Sequence, residues 1–126
     1  MYFAWNARFE VVWISDADSL HSHNLVKNSS AAVTIYASNQ IWGRPDRGIQ
    51  LFGTAGVTKG RASQDARRLY AKRFRDYDAD SDDLPAYRFR PRTIKLFDER
   101  ALAGGTLVTA RVTPTGLIWE KTEVWA

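Results

Sequence analysis

The chain contains no cysteine, which removes disulfides, thiolate nucleophiles and cysteine-held zinc together and makes a reducing compartment the expectation. No apolar run approaches the about 18 residues that a membrane-spanning helix needs. The start, Met1-Tyr2-Phe3-Ala4-Trp5, has neither the basic region nor the long apolar stretch of a secretion signal. A cytoplasmic protein with no membrane partner is therefore expected. No glycine-framed nucleophile turn, phosphate-cradling loop or dinucleotide fingerprint is present, and neither an internal repeat nor a low-complexity segment interrupts the chain. A Ser-His-Asp set can be assembled on paper from any chain with serines, histidines and acids, so it carries no weight.

What is present is ordinary globular composition, 44% hydrophobic and 25% charged. At 126 residues a chain buries about two thirds of its unfolded surface, enough for one core, and residues 1–126 are read as one domain. A net charge of +4 favours anionic partners, and a phosphorylated small molecule satisfies it as well as nucleic acid does.

Phe3 to Trp5, a polar Asn6-Ala7-Arg8 turn and the apolar run Phe9 to Ile14 predict a β-hairpin. Ser15-Asp16-Ala17-Asp18-Ser19 breaks the strand and offers helix-capping side chains, so a short helix is expected from His21 to Lys27, ending near Asn28. A strand from Ala31 to Ala37 follows. Turn formers crowd residues 38 to 48 and place Trp42 and Arg44 on a loop. From Gly48 to Val57 the alternation predicts one face of Ile49, Leu51, Ala55 and Val57 and another of Gln50, Phe52 and Thr54. Gly53 marks a bend or a close approach.

Ala66, Leu69, Tyr70, Phe74 and Tyr77 recur at helical spacing and predict the one long helix, from about Gln64 to Tyr77, with Ser63 as its cap and Arg67, Arg68, Lys72 and Arg75 on the opposite face. Asp76, Asp78, Asp80, Asp82 and Asp83 end it in a solvated loop. Beyond Pro85, β-rich segments run from Tyr87 to Phe97, Thr106 to Val112 and Leu117 to Trp125, divided by Gly104-Gly105 and Pro114-Thr115-Gly116. The expectation is a mainly β protein, a six- or seven-stranded antiparallel barrel with one main helix.

The order of strand, Ser15, then Ser19-Leu20-His21-Ser22-His23-Asn24-Leu25, strand, loop and Gly48-Ile49-Gln50-Leu51-Phe52-Gly53 resembles the core signature of the pyridoxamine-phosphate-oxidase-like family, over roughly residues 2 to 100. The resemblance implies a split β-barrel that binds FMN, or in some branches a deazaflavin or haem, at the interface of a homodimer. Carried over by position, it implies that Ile14 and Ser15 end a strand beside the flavin, and that Leu20 and His21 lie at the phosphate. The strand Phe3 to Trp5 would flank the isoalloxazine, and backbone around Gly48 to Gln50 would approach the cofactor. Two departures are visible. His21 stands where members often carry Lys or Arg, and the family usually has a helix and a first hairpin before the strand that begins here at Tyr2, so the expectation is either a truncated start or an open edge covered by a partner chain or by the Trp119 to Trp125 tail.

The residues alone say less. A phosphate needs N–H donors and positive potential, which the first turn of a helix supplies, so Ser19 to Asn24 is a candidate cradle, with Ser22 and Lys27 as further donors; helix capping explains the serines equally. His21-x-His23, with Asp16 or Asp18, is weighed as a metal site and set aside, because side chains two apart on a helix diverge. Trp42 is the candidate for reaching a second subunit's site. Combined with the family resemblance, the expected site is Ile14, Ser15, Ser19, Leu20, His21, Asn24, Trp42, Gly48 and Gln50, for FMN, with deazaflavin or haem as alternatives. The expected activity is that of a flavin-dependent oxidoreductase on a small molecule, since such a cofactor performs the electron transfer itself; no catalytic residue is singled out. A binding protein without turnover is the second reading. An oligonucleotide-binding barrel, drawing on Arg44, Arg47, Arg88, Arg90 and Arg92 near Trp42, Tyr87 and Phe89, ranks below both.

Overall fold

The computed structural model describes residues 1–81 and 83–125; Asp82 of the acidic run lies outside the described residues. The elements follow as β1 (Ala4–Trp5), β2 (Val11–Ile14), α1 (Leu20–Lys27), β3 (Ser30–Tyr36), β4 (Arg47–Val57), α2 (Gly60–Arg73), β5 (Ala86–Asp98), β6 (Thr106–Thr113) and β7 (Gly116–Val124). Hydrogen-bonded neighbours run β1-β2-β5-β4-β3, and β6 pairs with β5 and with β7. This is the mainly β, antiparallel, split-barrel type of architecture expected, with a short and a longer helix in the expected order. No helix among the described residues is long and apolar enough to cross a membrane. Its packing falls into two compact units, Met1–Ala31 with Gly53–Arg90, and Ala32–Phe52 with the chain from Pro91 onward.

In the first unit, Asn6 organises the hairpin turn: its Oδ1 accepts the N–H groups of Arg8 at 3.0 Å and Glu10 at 3.1 Å. This holds Phe9 at φ 62°, a backbone region that favours glycine. β1 then pairs with β2 in the register Ala4↔Val12, and β2 with the first half of β5 in the register Trp13↔Tyr87. Val11, Val12 and Trp13 are all buried, so β2 is covered on both faces. Trp13 stacks on Tyr87 with ring centroids 5.7 Å apart. Ala4, Val12, Ala66 and Ala86 form a core cluster with Ile14, Leu69 and Tyr70 against it; small side chains there let α2 approach the strands closely.

The ends of α2 differ from expectation. The helix starts at Gly60 with Lys59 as N-cap and no side-chain cap bond, and it ends at Arg73. Ser63 is therefore inside the helix, where its Oγ accepts from Arg67 Nε at 3.3 Å. The cause is tertiary: Thr58 is tied through both its N–H (2.8 Å) and its hydroxyl (2.7 Å) to the Ala86 carbonyl, and Gly60 turns at φ 57°. The chain thus leaves β4 directly into the helix, one turn before the best capping side chain. At the other end Phe74 leaves helical geometry but keeps its ring 4.7 Å from Tyr70, while Tyr77 lies 4.9 Å from Tyr70. The apolar period runs past the helix because the rings cluster after the backbone has stopped coiling. The Arg73 guanidinium lies 4.9 Å from the Phe3 ring and 4.8 Å from that of Trp5, and it donates to the Phe3 carbonyl. In the acidic loop, the Asp80 N–H, followed by the Ser81 hydroxyl, holds the exposed Asp78 carboxyl below its ordinary pKa.

In the second unit, the later half of β5 pairs with β6, and β6 with β7 through a hairpin closed at Thr113↔Gly116, with a bulge between Thr109 and Ala110. Along β4 the buried residues are Gly48, Leu51, Gly53 and Ala55. The expected apolar face is corrected at two places: Ile49 is only half-buried, and Val57 is 49% exposed. At the first, burial falls on Gly48 in place of Ile49. Val57, the strand's last residue before the turn into α2, explains the second.

Candidate functional site

The turn from β2 into α1 is built by short polar side chains bonding to one another and to nearby backbone. Ile14, half-buried, ends β2, and the Ser15 N–H is anchored on the Pro85 carbonyl at 3.2 Å. Asp16 Oδ1 accepts the Asp18 N–H at 2.9 Å, and its carbonyl accepts the Ser19 N–H at 3.1 Å. Ser19 is the N-cap, its Oγ accepting the Ser22 N–H at 3.3 Å. Ser22 is 2% exposed; its hydroxyl donates to the Asp16 carbonyl at 2.8 Å and accepts from Ser19 Oγ at 2.7 Å. Ser15 Oγ lies 3.3 Å from Ser19 Oγ and 2.7 Å from His21 Nε2.

Ser15, Ser19 and His21 are therefore brought together in this turn. The serine hydroxyls, read from sequence as donors, are engaged with one another and with Asp16. The groups left to meet a ligand are those a helix start always leaves open, the N–H groups of the first turn at Leu20 and His21, with the exposed His21 ring beside them. Leu20 is 77% exposed, an apolar side chain standing in solvent at the mouth of the turn. Asn24 is exposed, and its carbonyl accepts the Asn28 N–H at 2.9 Å to end the helix. His21 and His23 diverge: His21 faces Ser15, whereas His23 Nε2 lies 3.9 Å from Asp18.

The remaining expected residues belong to the second unit. Gly48 is buried, and a Cβ there would strike the Phe97 ring; its close approach is to a side chain of this chain. Gln50 is exposed on β4. Trp42 is fully exposed on a loop whose base is pinned by Asp46 and Glu99, with the Asp46 N–H on Glu99 Oε2 at 3.1 Å and the Glu99 N–H on the Asp46 carbonyl at 2.9 Å. Trp42, Arg44, Pro45 and Glu99 are among the residues lining an open cavity of about 690 Å³ there.

One feature of the first unit escaped the sequence reading. A cleft of about 170 Å³ is lined by residues Thr54 to Thr58 with Arg88 and Arg90. The arginines stood out in the sequence as basic residues, but nothing local pairs them with threonines some thirty positions earlier. The usable signal was the i, i+2 spacing, which puts both guanidinium groups on one face of a strand.

No family model matches the chain, and no curated protein matches it in sequence. Among solved structures, one aligns with a TM-score of 0.61 at 15% identity over 77% of this chain and 64% of its own length; this chain thus spans less than two thirds of that one. The structure of a haem-binding protein from Mycobacterium smegmatis aligns with a TM-score of 0.55 at 15% identity, over 96% of this chain and 74% of its own. At that identity the likeness concerns the fold.

Proposed function

We propose that this chain is a split-barrel protein that binds a planar redox cofactor, FMN first among the candidates, as a homodimer, and that it serves as an oxidoreductase toward a small molecule. The observation that carries the reading is the β2–α1 turn: Ser15, Ser19 and Ser22 are linked by hydrogen bonds of 2.7 to 3.3 Å, and Ser15 also fixes the His21 ring at 2.7 Å, which leaves the main-chain N–H groups of Leu20 and His21 to receive a phosphate. Bound FMN would supply hydride or electron transfer. The chain's own part is binding: main-chain N–H groups and the positive end of α1 hold the phosphate, and Ser15 holds the His21 ring toward it.

The second reading, haem, draws support from the fold likeness to the mycobacterial haem-binding protein across 96% of this chain. A deazaflavin is the third cofactor, and a binder without turnover is the alternative to an enzyme. A visible spectrum of the purified protein, followed by separate titration with FMN, deazaflavin and haem, separates them. Saturable quenching of flavin fluorescence, weakened about tenfold in His21→Ala, supports FMN at this turn. A Soret band that saturates at one equivalent, with no flavin response, replaces FMN by haem. Flavin that binds but is never reduced by nicotinamide donors supports the binder. Absence of binding in all three titrations overturns the proposal.

A further inference from the structure

We infer that the cleft between the end of β4 and the start of β5 is a second ligand site, one that takes a phosphate-class oxyanion. None of its lining residues belongs to the β2–α1 turn, so it is independent of the cofactor proposed there.

β4 and β5 are neighbours in the sheet. On one side of β4, positions 54 and 56 share a face by strand alternation, and Arg88 and Arg90 share a face of β5; the cleft they line with Thr58 measures about 170 Å³. That is the bulk-liquid volume of five or six waters at about 30 Å³ each, room for a tetrahedral oxyanion of five heavy atoms. Gly56 is what opens it: a Cβ built there meets nothing within 4 Å, so any larger side chain would project into the space. The charge is of one sign. Arg90 Nε pairs with Glu10 at 3.4 Å, and Glu10 also meets Arg8 at 3.9 Å. Three guanidinium groups thus stand against one carboxylate, and no acidic residue lines the cleft.

Donors are available where an anion would sit. The Arg88 side chain makes no ion pair or hydrogen bond among the described residues, and Arg90 engages Glu10 through Nε, leaving its terminal N–H groups. The Thr54 hydroxyl has no partner among the described residues either. The Thr58 hydroxyl donates to the Ala86 carbonyl, so it frames the cleft and does not donate into it. Planar, multiply donating guanidinium groups favour oxyanions with several acceptor oxygens, phosphate and its monoesters above all.

The test is titration of the full chain with inorganic phosphate and, separately, with glycerol 3-phosphate, read by amide shifts at Thr54 and Gly56. Saturable shifts are expected, at least tenfold weaker in Arg88→Gln and in Gly56→Asp, which places a carboxylate in the open space. Arg88 is partly exposed, so Arg88→Gln keeps the fold even if Gly56→Asp does not. Tighter binding of the ester identifies an esterified ligand, and equal binding identifies the free ion. Saturation unchanged in both variants, or shifts no larger than equal chloride produces, overturns the site. FMN titration of Arg88→Gln keeps the two proposals apart: binding there is retained if FMN sits at the β2–α1 turn.

Discussion

Two small residues carry more than their size suggests. Ser22 is one of the two buried polar side chains among the described residues, the other being Thr109, and its hydroxyl fastens the Asp16 carbonyl and the N-cap Ser19 at once. Ser22→Ala removes both bonds, and although the Asp16 carbonyl keeps the Ser19 N–H, a loss of about 1–3 kcal/mol in urea unfolding is expected, at about 0.5–1.5 kcal/mol for each bond. The β2–α1 turn should loosen with it, since Ser19 then loses the oxygen it donates to. Gly48 acts through absence. A methyl there meets the Phe97 ring, and a packed ring yields only by leaving its rotamer, so Gly48→Ala should cost about 1–3 kcal/mol. The double variant Gly48→Ala with Phe97→Leu should recover part of that loss in a double-mutant cycle. Additive losses would show that the ring is not what excludes the methyl. The residue alternation marked Gly53 for a bend or close approach, and the family resemblance implied that Gly48 approaches a cofactor; the neighbour that Gly48 meets in this chain is Phe97, 49 positions away.

At the scale of elements, local chemistry placed helices and strands well and their ends less well. Ser19 caps α1 as its residue type suggests, because the break in apolar pattern and the bonds of the turn coincide there. For α2 they do not coincide. The chain is committed to the helix by the tie of Thr58 to Ala86, before Ser63 is reached. Two stability measurements check this. Lys59→Asp supplies the missing side-chain cap at the true start and should raise stability by about 0.5–1 kcal/mol. Ser63→Ala should change it by less than about 0.5 kcal/mol, as an interior substitution that improves helix propensity while removing one weak bond to Arg67. A larger loss at Ser63 would restore it as the cap. The β6–β7 hairpin was legible from Gly104-Gly105 and Gly116, and Gly105 and Gly116 adopt φ 75° and φ 154°.

For the whole molecule, the feature that most needs a partner is the apolar surface of β7 and the residue after it: Leu117, Ile118, Trp119, Val124 and Trp125 are 47% to 71% exposed. Surfaces of that kind mark association, which agrees with the homodimer proposed above. Light scattering on the purified chain should give twice its 14.3 kDa, and Trp119→Lys should shift the mass toward one chain if β7 forms the contact. A mass of one chain at all concentrations would remove the twin-subunit pocket from the proposal. Local pattern specified the element order, the antiparallel mainly β class and a helix-capping stretch from Ser15 to Ser19, because these follow from period, turn residues and short side chains acting over a few positions. Only the tertiary structure decided where α2 begins, that Val57 faces solvent, that Phe97 closes over Gly48, and that Arg88 and Arg90 stand beside Thr54 and Gly56. Apart from Val57, which lies where the strand ends, each of these joins residues many positions apart, and strand pairing, which no local pattern encodes, is what brings them together.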